Sequence, residues 1–125
     1  MTLSVFAMND ALLDRYEAFR AADPGTENPL TAIMLLDMTV KNGGVEAYWA
    51  FGPRGLPLVM EFAKTHGLAP LAELAQGVTQ LQQEGLDPFG DLPATMRRQL
   101  QVWTDGYDAI ADEVTRLLYA QYILS

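Results

Sequence analysis

The sequence predicts an all-α fold: a compact single domain over residues 1–125, built as a bundle of about six or seven helices. Two patterns carry that expectation. Apolar residues recur at steps of three and four along most of the chain, the period of one helix face. No stretch alternates polar and apolar residues between hairpin turns, so a sheet is not expected. Half the residues are hydrophobic and a fifth are charged, a globular composition. A chain of 125 residues can bury roughly two-thirds of the surface its unfolded form exposes.

Val5, Met8, Leu12, Tyr16 and Phe19 form the first helical stripe, with Asp10, Asp14 and Glu17 on another side. Asp23, Pro24, Gly25, Asn28 and Pro29 gather into a loop. Leu30 to Lys41 is apolar nearly all round and is expected to run through the middle of the domain. Asn42-Gly43-Gly44 should break it, and a short aromatic helix, Val45 to Phe51, should follow. Gly52-Pro53-Arg54-Gly55 reads as a turn, and Pro57 suits the start of a helix ending near Gly67. Pro70 opens an amphipathic helix through Leu71, Leu74, Ala75, Val78 and Leu81 to Gly85. After a loop from Leu86 to Leu92, Pro93 opens a helix carrying Met96, Leu100 and Trp103. The chain should turn or kink near Gly106, before a last helix with Tyr107, Ile110, Val114, Leu117 and Leu118 on one face.

Sixteen acids against eight bases give a net charge of −8, which disfavours direct binding of nucleic acid. Cysteine is absent, so thiolate chemistry and disulfides are excluded. The residues after Met1 lack a basic-then-apolar secretory signal, and no apolar run approaches the roughly 20 residues that span a bilayer. A cytoplasmic address without membrane contact is expected.

No catalytic, cofactor-binding or metal-ligating set emerges. His66 is the only histidine and sits before Gly67, where a cation complements a helix C-terminus. Asp10/Asp14 and Asp108/Asp112 are spaced to share helix faces, but on the polar side of amphipathic segments. Asp112 and Arg116 have the spacing of a helical ion pair. The glycine turns lack the Lys-Ser/Thr of a phosphate-binding loop. Tyr48, Trp49 and Phe51 are expected in the core, with Tyr48 or Trp49 at a groove rim, because neighbours on a helix point about 100° apart.

The run Asn42-Gly43-Gly44-Val45-Glu46-Ala47-Tyr48-Trp49, the turn from Gly52 to Gly55, the helix end at His66-Gly67 and the terminal helix around Tyr107 and Tyr122 resemble a known family. The chain is similar, over about residues 30–125, to the C-terminal domain family of a bacterial DNA-mimic protein, most of whose members are uncharacterised. Val45, Ala47 and Phe51 stand where that family usually has an aromatic residue, a glutamine and an asparagine. The resemblance implies a helical fold, an architectural role for Asn42, Gly43 and Gly44, and, in its mimic version, carboxylates that imitate phosphates. Spread over a domain of this size, the net charge amounts to roughly one per 4–5 Å, against one per about 1.7 Å in duplex DNA, so mimicry requires the acids to converge.

The leading expectation is therefore a non-enzymatic protein-interaction domain. It would engage a basic or DNA-binding protein, or a toxin, through Asp10, Asp14, Glu17, Asp105, Asp108 and Asp112. The alternative is a small-ligand-binding or enzymatic domain with a pocket near Tyr48, Trp49 and His66, and a third reading is a helical assembly subunit, a homodimer included.

Overall fold

Ser4 opens the chain's first helix by accepting a hydrogen bond from the Ala7 amide at 3.1 Å, satisfying one of the donors that a helix start leaves unpaired. From there the computed structural model, which describes residues 3–125, contains five helices and no strand among the described residues. They are α1 (Val5–Ala22), α2 (Pro29–Phe51), α3 (Leu56–Thr65), α4 (Ala69–Glu84) and α5 (Ala94–Tyr122). Asn28, which by sequence belongs to a loop, also caps α2. Its side chain accepts from the Thr31 amide at 2.9 Å while its own amide donates to Thr31 Oγ1 at 2.9 Å.

Five helices replace the expected six or seven for two reasons. The Asn42-Gly43-Gly44 break is a kink inside α2, with only Gly44 leaving helical geometry at φ 75°, ψ −177°. The Val45 amide at this kink donates to Thr104 Oγ1 of α5 at 2.9 Å, so a neighbouring helix supplies its acceptor. Gly106 does not interrupt α5 at all. It packs over Pro70 at the start of α4, where an added Cβ would lie 3.4 Å from the proline ring. Its lack of a side chain serves close packing rather than a turn.

The longest helix, α5, packs against α1, α2 and α4. Its pairing with α2 is antiparallel: Tyr122 Oη accepts from the Leu30 amide at 3.3 Å at one end, and Thr104 meets Val45 toward the other. Its pairing with α1 is parallel, since Phe19 meets Tyr122 edge-on with ring centroids 6.3 Å apart near both C-termini. α4 lies antiparallel to it, with Gly77 under the Trp103 indole and Pro70 beside Gly106. The core thus runs along α2, as its all-round apolar composition leads one to expect, with Leu30, Ile33, Leu36, Val45 and Tyr48 fully buried.

One carboxylate lies in that interior. Asp37 is only 5% exposed, accepts a hydrogen bond from Tyr107 Oη at 2.5 Å and pairs with Lys41 Nζ at 2.9 Å. Lys41 is half-exposed, so its stem carries the positive charge from solvent to the carboxylate. Burial, then the neighbouring Asp37 charge and hydrogen bond, push the Tyr107 phenol well above its ordinary range.

Candidate functional site

All six acids named from the sequence are solvent-exposed. Asp105, Asp108 and Asp112 follow a three- and four-residue spacing on the side of α5 opposite its buried Tyr107, Ala111, Val114 and Leu118. Asp10, Asp14 and Glu17 occupy the exposed side of α1, the parallel neighbour. With Phe19 level with Tyr122, Asp10 comes level with about residue 113, just past Asp112, so the two stripes follow one another end to end without overlapping. Together they extend about 22 Å at 1.5 Å per residue, roughly one carboxylate per 4 Å.

The expected Asp112–Arg116 pair does not form. The ion pair among the described residues joins Asp37 and Lys41 instead. Two exposed side chains gain little from holding one geometry in water, whereas Asp37 is buried and gains more from a partner. Among the described residues the acidic stripes are consequently not neutralised by direct pairing, although Asp105 accepts a hydrogen bond from Gln101 at 2.8 Å. Bases nevertheless share these helices. Counting α1 and α5 whole, seven acids (the six and Glu113) face five arginines, so most of the net −8 resides on the remaining elements.

His66 closes α3, as its place before Gly67 suggests, with its ring stacked at a tilt on Phe62 at 4.4 Å between centroids. Tyr48 and Trp49 are both buried, so neither forms a groove rim. The expectation of one exposed face fails because α2 is central, contacting α1, α3, α4 and α5, and can bury adjacent side chains in different directions. The Tyr48 hydroxyl is buried without a hydrogen-bond partner, and burial raises its pKa. Phe51 is the exposed member of the aromatic run, at 62%.

Two grooves flank the Gly52–Gly55 turn, and neither is lined by Tyr48, Trp49 or His66. The first, about 640 Å³, lies between the turn and α4 and is walled by Met60, Gln76, Thr79, Gln80 and Gln83. The second, about 530 Å³, lies between α1, the α1–α2 loop and the turn, and is walled by Tyr16, Arg20, Glu27, Phe51 and Arg54 among others. Nothing in the sequence links Arg20 with Arg54, which are separated by 33 residues and belong to no shared motif. Phe51 was visible as part of the aromatic run, but its exposure depends on where α2 ends.

Fold and surface together define a five-helix, kinked-core bundle with exposed acidic stripes on α1 and α5 and two grooves beside one glycine turn. No family model, curated protein or solved structure matches the chain.

Proposed function

We propose that this chain is a non-enzymatic protein-interaction domain whose acidic ridge on α5 and α1 engages a basic partner. The observation that carries this reading is that all six carboxylates are exposed on two adjacent parallel helices and that, among the described residues, none is taken up in an ion pair. Such a ridge attracts a complementary basic surface over a Debye length and orients its approach. A DNA-binding regulator or a toxin fits this description. Phosphate-by-phosphate mimicry of duplex DNA is less well supported, because one carboxylate per roughly 4 Å is more than twofold sparser than one phosphate charge per about 1.7 Å.

The test compares the parent with a triple variant, Asp105→Asn, Asp108→Asn and Asp112→Asn, as immobilised bait for proteins of its own cell. Partners held by the parent at about 50 mM salt should elute by about 300 mM, as ionic screening shortens the reach of the ridge. The triple variant should fail to retain them. A partner retained equally by both baits at both salt concentrations refutes the acidic-ridge reading.

A further inference from the structure

The Gly52–Gly55 turn is fixed from three directions. Gly52 and Gly55 hold left-handed conformations at φ 72° and 77°, Pro53 is buried, and Gln82 Nε2 donates to the Pro53 carbonyl at 3.3 Å. Gly55 also lies so close to α2 that a Cβ there would come 3.2 Å from the Ala32 methyl. Arg54 is therefore displayed from an anchored backbone between the two grooves, both of which it lines, and Arg20, in the last turn of α1, lines the 530 Å³ one with it. Neither guanidinium is ion-paired among the described residues. In a chain with twice as many acids as bases, two of the eight cations line this one concavity, which suits an anion.

The other groups lining the groove narrow its chemistry. Thr26 Oγ1 donates to the Asp23 carbonyl at 2.8 Å, and Thr31 Oγ1 is engaged within the α2 cap, so both hydroxyls serve the loop. Glu27 is the one acid in the lining, which leaves a net charge of +1 with the two arginines and suits a monoanion better than a dianion. Phe51, mostly exposed, and Tyr16 supply flat apolar surface. The volume falls within the roughly 300–1,000 Å³ of small-molecule sites.

From these features we infer that the groove between α1, the α1–α2 loop and the Gly52–Gly55 turn binds a small aromatic carboxylate. Arg20 and Arg54 hold the carboxylate, and Phe51 and Tyr16 cover the ring. This site is separate from the acidic ridge and does not depend on it.

The test is an amide-resolved NMR titration of the whole chain with 2-naphthoate, its neutral isostere 2-naphthamide, and acetate. Naphthoate should shift the Gly25, Gly52 and Gly55 amides and bind about tenfold more tightly than naphthamide, the usual weight of a charge-assisted contact. Acetate should bind more weakly than naphthoate for lack of a ring. Arg20→Gln and Arg54→Gln should each weaken naphthoate by about tenfold, while Glu27→Gln strengthens it a few-fold by removing a like charge. These positions are exposed, and unchanged far-UV dichroism would show that the variants remain folded. No saturable naphthoate binding, equal affinity for naphthamide, or an affinity unmoved by both arginine substitutions overturns the proposal.

Discussion

Replacing Gly77 with alanine sets two effects of opposite sign against each other. In the interior of α4, alanine is favoured over glycine by about 1 kcal/mol, because glycine forfeits more backbone entropy on folding. The new methyl, however, would lie 2.2 and 2.3 Å from Cη2 and Cζ2 of Trp103 and 2.9 Å from Cε2. Ordinary carbon contacts are about 3.5–4.0 Å, so the indole must retreat by more than about 1 Å. A rigid two-ring system cannot yield at one atom, which puts the overpacking cost near the top of its usual range, about 3 kcal/mol. Contact wins, and Gly77→Ala should destabilise the protein by about 2 kcal/mol, lowering the melting temperature by roughly 6–10 °C. Urea unfolding followed by far-UV dichroism measures the loss. In a Trp103→Ala background the steric cost disappears and the same substitution should become neutral or stabilising, a reversal of sign that isolates the contact. A Gly77→Ala protein at least as stable as the parent would refute the close packing of α4 on α5.

Two further predictions concern residues of α2 and α5. Thr104→Val keeps the shape of the side chain but leaves the Val45 amide at the kink without its acceptor, and should cost about 1–3 kcal/mol in urea unfolding, whereas Thr104→Ser stays near the parent. Tyr48 and Tyr107 both have raised folded-state pKa values, so above pH 10 the unfolded chain sheds their protons while the native chain holds them. Stability should therefore be unaffected by these groups below pH 10 and fall as pH rises beyond it, by about 2.7 kcal/mol per pH unit for the two together; Tyr48→Phe should halve that slope without loss at neutral pH, since its hydroxyl has no partner.

Elements set by local pattern were legible in the sequence, and those set by distant neighbours were not. The period of Leu71, Leu74, Val78 and Leu81 and the prolines at helix starts marked α4 and its counterparts without reference to the rest of the chain. Gly106 misled because a glycine that ends a helix and one that admits another helix look identical in sequence. Asp37 carries a signal in the sequence, a lone acid inside an otherwise apolar helix with a lysine four residues on, but its burial depends on the neighbouring helices. The acidic stripes were readable on each helix separately, but their end-to-end stagger depends on α1 running parallel to α5, which the Phe19–Tyr122 contact establishes. Arg20 and Arg54 share a groove only because the turn after α2 packs against α2 itself, at Ala32.

The two proposed surfaces occupy different parts of α1 and should answer salt in different ways. Asp10, Asp14 and Glu17 extend the ridge along its exposed side, while Arg20 lies at its C-terminal end beside the groove. For a basic partner, the attraction of the ridge and of the net −8 act in the same direction, so added salt weakens binding throughout. For a carboxylate in the groove, local attraction by two guanidiniums opposes repulsion by the whole protein, and salt screens both. Its affinity should change far less between low and physiological salt than that of the ridge for a basic protein. Competition completes the separation: 2-naphthoate at saturation should leave ridge binding intact, because the two sites share a helix but no side chain.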